Sequence, residues 1–166
     1  MSNHRWVRLV VGVLLIAANV SCDQITKAIV RKDINPYEQI TVIDNHITLT
    51  KVENTGAFLS LGQSWWPPLK TALLIVLPIF ALAFACYAMV ERSRGPWFAV
   101  GLGFAIGGGI GNMIDRIIRG SVTDFLHLKA GMFQTGIFNM ADVSIMVGIG
   151  IVLVDTLAVR RQRLFY

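Results

Sequence analysis

The sequence predicts an all-α membrane protein in which four transmembrane helices carry a small extracytoplasmic β layer. Of its 166 residues, 54% are hydrophobic and only 15% are charged, whereas about a quarter of a soluble domain is charged. A membrane-spanning helix needs about 20 mostly apolar residues, and four stretches are long enough. These stretches are approximately residues 6–27, 69–90, 97–115 and 138–159. The whole chain, 1–166, is predicted to form a single membrane domain.

The first apolar stretch has an alternative interpretation as a cleaved secretory signal. Basic residues precede it, and Val20-Ser21-Cys22 loosely resembles the end of a lipoprotein signal. However, Asn19 is a poor residue three places before such a cysteine, and cleavage would leave only three spans. We therefore expect a retained helix. In the second stretch, Pro78 predicts a kink.

Arginines near the ends of the spans predict the orientation of the chain. Loops and tails on the cytoplasmic side carry an excess of basic residues. Three short segments carry the arginines on which the prediction rests: Arg5 and Arg8, Arg92 and Arg94, and Arg160, Arg161 and Arg163. Both termini should therefore be cytoplasmic. Topology also explains the net charge of +5, so no nucleic-acid partner is expected.

The segment 31–67 is predicted to be an outer loop that contains a β-hairpin. Ile40, Val42, Ile47 and Leu49 alternate with threonines, and a turn is expected at 44–45 between the two runs. Such a layer could hold an extended peptide by strand addition. A plain connecting loop is the alternative, although about 37 residues is long for one.

The third span has glycines at intervals of four, Gly103, Gly107 and Gly111. One face of this helix therefore has almost no side chains. Close packing against another helix is one explanation. The other is room for a substrate helix or an acyl chain to approach.

Two carboxylates, Asp124 and Asp142, lie beside the ends of apolar stretches. Carboxylates near a bilayer are costly and often functional. Asn139 and Asp142 have the spacing of a helix-capping box, which by itself explains Asp142. It does not explain Asp124. We interpret the two as a pair that shares one proton, with the negative charge on Asp142 because a helix N-terminus favours an anion.

Three further groups of polar residues are notable. Asp23 and Lys27 are spaced for an ion pair within a helix. Asn54 and Gly56 belong to a tight turn, Asn54-Thr55-Gly56-Ala57-Phe58. Asn112 and Arg116 share a helical face and offer donors, although Asp115-Arg116 has an alternative explanation as a helix end that marks the membrane interface.

Five motifs together resemble the lipoprotein signal peptidase (signal peptidase II) family. They occur in the family's order and span nearly the whole chain: Asp-Gln-x-x-Lys at 23–27, Asn-Thr-Gly-Ala at 54–57, Gly-Asn-x-x-Asp-Arg at 111–116, Val-x-Asp-Phe at 122–125 and Phe-Asn-x-Ala-Asp at 138–142.

The resemblance implies an aspartic endopeptidase that cuts prolipoproteins just before the diacylglyceryl-cysteine. Asp124 and Asp142 would be catalytic, and the substrate-binding residues would be Asn54, Asn112, Arg116 and Asn139. The supporting residues would be Asp23, Lys27, Gly56, Asp115 and Ala141. It implies a monomer in the bacterial inner membrane with the site on the outer face. Its partners would be lipidated precursors and membrane lipids, with no cofactor and no metal.

Two other functions fit parts of the sequence. A small proton- or ion-coupled transporter would use intramembrane acids, but only Asp155 lies near the inner end of a span, and the sequence contains no internal repeat. A noncatalytic assembly subunit would use the glycine face and would tolerate asparagine at both aspartate positions.

Overall fold

A computed structural model describes residues 3–36, 38–57, 62, 64–91 and 95–165. Arg92 and Arg94, which contribute to the predicted orientation, lie outside these residues, and so does Phe58 of the predicted turn. The described chain has four helices that are long and apolar enough to cross a membrane, and one four-stranded sheet.

The four helices are α1 (Asn3–Asp33), α2 (Pro67–Val90), α3 (Pro96–Arg119) and α4 (Met140–Phe165). Each predicted span corresponds to one of these four helices, but the bounds differ. Helix α1 continues six residues beyond the predicted end at 27. Helix α4 begins at Met140 instead of Phe138, because Phe138 belongs to a strand and Asn139 provides the helix cap.

Helix α2 contains a π-helical turn, Ala72–Val76, between regular segments Pro67–Thr71 and Leu77–Val90. The Leu77 N–H donates to the carbonyl of Ala72, one residue further back than in an α-helix. Pro78 follows at once; it has no N–H, and its ring conflicts with the carbonyl four residues earlier. The irregularity predicted for this helix therefore occurs just before the proline.

The sheet has the strands β1 (Gln39–Ile43), β2 (Ile47–Asn54), β3 (Val122–Ala130) and β4 (Phe133–Phe138). All neighbours are antiparallel, in the order β1-β2-β3-β4. The predicted hairpin is confirmed as β1–β2, with Asn45 in the left-handed region at φ 57°, so the plain-loop alternative is wrong. The pairing of β2 with β3 joins segments about 70 residues apart in the chain.

The order of the elements places the whole sheet at one end of the helix bundle. Strands β1 and β2 connect α1 to α2, and β3 and β4 connect α3 to α4. A small core fixes the sheet there, in which Phe125 of β3 packs with Val30 of α1 and with Ile34, which directly follows α1. The N-terminus of α1 and the C-terminus of α4 therefore lie at the opposite end of the bundle.

The glycines of α3 pack against neighbouring helices. A Cβ atom at Gly103, Gly107 or Gly111 would lie 2.8 Å or less from an atom of α1. A Cβ atom at Gly108 would meet the carbonyl oxygen of Ala141 in α4. Close packing is therefore confirmed for these positions, and they leave no room for a substrate.

We expect Gly108→Ala to destabilise the protein by about 1–3 kcal/mol, a typical cost of overpacking. The added methyl group would push α4 away from α3 at its first turn. The free energy of unfolding in detergent measures the effect. Gly150→Ala is the matched control, because a Cβ atom at Gly150 has open space around it. Equal stability of the two variants would contradict the expectation.

Candidate functional site

Asp124 and Asp142 reach the same cavity from different elements. Asp124 lies in β3, and Asp142 lies in the first turn of α4. Both line a cavity of about 270 Å³ at the sheet end of the bundle, together with Asn54, Asn112 and Arg116. The fold therefore brings the two carboxylates and three of the four predicted substrate-binding residues to one place.

Asp124 is buried, with 4% of its surface exposed. Its carboxylate accepts hydrogen bonds from the side-chain amides of Asn54 (2.9 Å) and Asn139 (2.6 Å). Burial raises the pKa of Asp124 to about 6, and the negative charge of Asp142 acts in the same direction. The two amides and the charge of Lys27 oppose the increase in pKa. This carboxyl group therefore holds a proton at a higher pH than an exposed aspartate.

Asp142 forms the predicted capping box with Asn139. The Asn139 N–H donates to Asp142 Oδ2 (3.2 Å), and the Asp142 N–H donates to Asn139 Oδ1 (3.0 Å). The other carboxylate oxygen of Asp142 has a partner outside the capping box. This oxygen, Oδ1, accepts a hydrogen bond from Asn112 Nδ2 at 2.9 Å. Three groups therefore orient this residue.

Two asparagine amides connect the carboxylates. Asn139 Nδ2 donates both to Asp124 and to Asn112 Oδ1, the latter at 3.1 Å. Lys27 Nζ also donates to Asn112 Oδ1, at 2.9 Å. These two donors fix the orientation of the Asn112 amide, so its nitrogen faces Asp142. Asn112 and Asn139 thus contact the carboxylates directly.

A buried ion cluster lies behind the two amides. Lys27 contacts Asp23 at 2.8 Å and Asp115 at 3.0 Å, and none of the three side chains is exposed. The predicted Asp23–Lys27 pair is therefore present. The interpretation of Asp115 as an interface marker is wrong, because its carboxylate is buried among cations. Asp23 also accepts a hydrogen bond from the backbone N–H of Ala141 at 2.9 Å, next to Asp142.

The predicted turn after β2 is closed by Asn54. Its Oδ1 accepts from the Gly56 N–H (2.9 Å), and its Nδ2 donates to the carbonyl of Ala57 (3.0 Å). Arg116 Nη2 donates to the carbonyl of Gly56 at 2.7 Å. The guanidinium of Arg116 is thus held at the cavity by the turn.

Three further residues at the site, Arg31, Glu53 and Thr123, were not predicted from the sequence. Arg31 donates to Asp115 (3.2 Å) and to the hydroxyl of Thr123 (3.0 Å). Glu53 accepts from the hydroxyl of Thr123 at 2.9 Å. These contacts tie β2 and β3 to α1 and α3. The four-residue spacing of Lys27 and Arg31 places both on one face of α1, and this pattern could have indicated Arg31. No local pattern could have indicated Glu53 and Thr123, because they meet only through the pairing of β2 with β3.

The sequence is similar to those of known proteins. The family model for signal peptidase (SPase) II matches residues 15–158. A lipoprotein signal peptidase of Geobacillus thermodenitrificans is 35% identical over 144 residues, which are 86% of this chain and 86% of that protein. A lipoprotein signal peptidase of Bacillus subtilis is 35% identical over 149 residues, which are 89% of this chain and 90% of that protein.

The fold is also similar to a solved structure described as a bacterial membrane enzyme determined by the in meso method at 2.3 Å resolution. The TM-score is 0.80, at 24% sequence identity. The similarity covers 89% of this chain and 88% of the solved chain. The helices and the sheet therefore have the same overall arrangement in both.

Proposed function

Because this chain belongs to the signal peptidase II family, a family of proteases, we propose that it is an aspartic endopeptidase that removes signal peptides from lipidated prolipoproteins. Asp124 and Asp142 are its catalytic residues, and the bond cut is the one before the diacylglyceryl-cysteine. The observation that carries this proposal is the pair of carboxylates on one cavity, one of them buried, joined through Asn112 and Asn139.

In this mechanism the two carboxyl groups share one proton, which is held on Asp124. Burial of Asp124 and its pKa of about 6 support this assignment. The carboxylate of Asp142 takes a proton from a water molecule, and the resulting hydroxide adds to the scissile carbonyl. The protonated Asp124 donates a hydrogen bond to the carbonyl oxygen. The proton held by Asp142 then passes to the leaving amine as the C–N bond breaks.

The polar residues around the pair position the substrate. Asn112 and Arg116 bind its backbone carbonyls, and Asn54 and Asn139 orient Asp124. Asp23, Lys27 and Asp115 support the site from behind, together with the backbones of Gly56 and Ala141. The enzyme acts as a monomer that needs no cofactor or metal.

We place the enzyme in the bacterial cytoplasmic membrane with both termini inside and the cavity on the outer face. The arginines near the N-terminus of α1 and near the C-terminus of α4 support this orientation. A prolipoprotein anchored in the outer leaflet would then meet the cavity directly. An Asp44→Cys variant, changed in the β1–β2 turn, tests the orientation. Its thiol should react with a membrane-impermeant reagent added from the outer side, and reaction only from the cytoplasmic side would contradict this orientation.

Purified protein in nanodiscs tests the function. It should cut a diacylglyceryl-modified precursor, and mass spectrometry should find the lipidated cysteine at the new N-terminus. The same precursor without the lipid is the control and should stay uncut. No cleavage of the lipidated precursor, or an ion flux in liposomes that contain no precursor, would contradict the proposal.

We expect kcat/KM to fall about tenfold per pH unit above a pH of about 6. The active form needs a proton on Asp124, and that proton is lost as the pH rises through its pKa. Stability changes over a lower pH range, because the pKa of this carboxyl is near its ordinary value of 3.8 in the unfolded chain and about 6 in the folded one. The folded state therefore loses stability as the pH rises from about 4 to about 6, and no further above it. A pH profile of precursor cleavage measures the first effect.

Asn54→Ala should move this decline in kcat/KM to higher pH and lower the maximum about tenfold. The Asn54 amide favours the ionised form of Asp124, so its removal raises the pKa further; a hydrogen bond to a charged group contributes about 1.5–3 kcal/mol. The exposed residue Gln39 provides a control, Gln39→Ala. A shift to lower pH in Asn54→Ala would contradict the assignment of the proton.

A further inference from the structure

A second cavity, of about 370 Å³, meets the first one at Asp142. Strands β3 and β4 form one wall, and the first two turns of α4 form the other. Its lining consists of Leu128, Thr135, Gly136, Phe138, Asp142, Val143, Met146 and Val147. The hydroxyl of Thr135 is bonded to the backbone N–H of Leu128 at 3.0 Å. Apart from Asp142, every side chain that lines this cavity is therefore apolar or already hydrogen-bonded.

The mouth of the second cavity is surrounded by exposed apolar side chains. Met146 and Val147 are 69% and 43% exposed on a helix that is apolar enough to span a membrane. The β3–β4 hairpin, which forms the other wall, ends in two exposed apolar side chains, Met132 (99%) and Phe133 (84%). A hollow between such surfaces offers no partners to peptide N–H and C=O groups, so it suits a hydrocarbon chain and not a peptide.

We propose that this cavity binds an acyl chain of the diacylglyceryl group on the substrate cysteine, an inference that rests on the proposed function. The lipidated cysteine contributes the nitrogen of the scissile bond, so its lipid leaves the peptide within one residue of the reacting carbonyl. The two cavities are arranged in the corresponding way, because Asp142 lines both and lies at the boundary between them. The peptide lies in the polar cavity, and the acyl chain lies in the apolar one.

The apolar cavity then contributes to specificity, because each buried methylene of the acyl chain adds to binding. Val147→Trp adds bulk to the cavity from the exposed side of α4. Leu153→Trp is the matched control, since Leu153 is 56% exposed on the same helix and lines none of the cavities described above.

The experiment compares two precursors with the same peptide and either hexadecanoyl or hexanoyl chains. We expect Val147→Trp to lower kcat/KM about tenfold for the long-chain precursor, with a much smaller change for the short-chain one. Leu153→Trp should behave as the wild type does with both. An equal effect of Val147→Trp on the two precursors, or no effect, would overturn the proposal.

Photolabelling tests the same proposal without turnover. A precursor with a diazirine on its acyl chain is bound to Asp124→Asn and irradiated. Labels on Phe138, Met146 or Val147 support the proposal, and labels confined to Leu73, Leu74 and Ile145 of the first cavity overturn it.

A phospholipid that carries the same diazirine chain is the control, at the same mole fraction. Equal labelling of Met146 by this phospholipid would also overturn the proposal, because the cavity would then be a general lipid site. Failure of the proposed function alone would appear as labelling of the apolar cavity without cleavage by the wild type.

Discussion

Replacement of either Asp124 or Asp142 with asparagine is expected to lower precursor cleavage by about 10³-fold or more. A general acid or base typically contributes 10²–10⁴-fold; Asp142 is needed at two steps, and Asp124 supplies the acidic hydrogen for the carbonyl oxygen. Asparagine at 142 can neither take the proton from water nor return it to the leaving amine, and asparagine at 124 has only a weakly acidic amide to offer the developing oxyanion. Single-turnover cleavage of a diacylglyceryl-modified precursor by each purified variant measures the loss.

Asp44→Asn is the matched control for these two substitutions. Asp44 lies on the same sheet, in the β1–β2 turn, and its side chain is exposed. We expect it to keep wild-type activity. Thermal unfolding of each variant shows whether its fold is retained. A folded Asp124→Asn or Asp142→Asn variant with more than a tenth of wild-type activity would contradict the assignment of the catalytic pair.

Lys27→Met is expected to cost about 3–5 kcal/mol of stability, the usual effect of removing one partner from a buried ion pair. Its ammonium contacts Asp23 and Asp115, neither of which is exposed, and it holds the amide of Asn112. Without Lys27, Asp23 has no cation among its described partners, and Asp115 keeps only the longer contacts with Arg31 and Arg119. The free energy of unfolding in detergent measures the cost.

Lys32→Met is the control for charge removal, because Lys32 is exposed one turn further along α1. It should leave stability unchanged. Adding Asp23→Asn to Lys27→Met should restore part of the loss, since one of the two unpaired negative charges is then removed. Stability of Lys27→Met equal to that of Lys32→Met would show that the cluster contributes little.

The helices, the first hairpin and the cap of α4 could be predicted because each depends on neighbours in the chain. The apolar spans follow from length, and the β1–β2 hairpin follows from alternation around a turn. Asn139 and Asp142 cap α4 within a single turn of helix. The Asp23–Lys27 pair depends in the same way on a spacing of four.

The environment of the two aspartates could not be predicted from local pattern. Asp124 receives the Asn54 amide only because β2 pairs with β3 across about 70 residues. Asp115 resembles a helix end in the sequence, but it is buried because α1 lies against α3 at their glycine contacts. Both outcomes require elements that are distant in the chain to be packed together.

The membrane class, the approximate helices and the identity of the polar residues therefore follow from composition and local pattern. Packing between distant segments sets which of these residues touch and which are buried, and it brings a polar and an apolar cavity together at Asp142. The two kinds of property differ in the distance along the chain over which their interactions act. Helix, turn and cap energies act over a few residues, whereas burial, and with it the raised pKa of Asp124, arises from surfaces that remote segments enclose together.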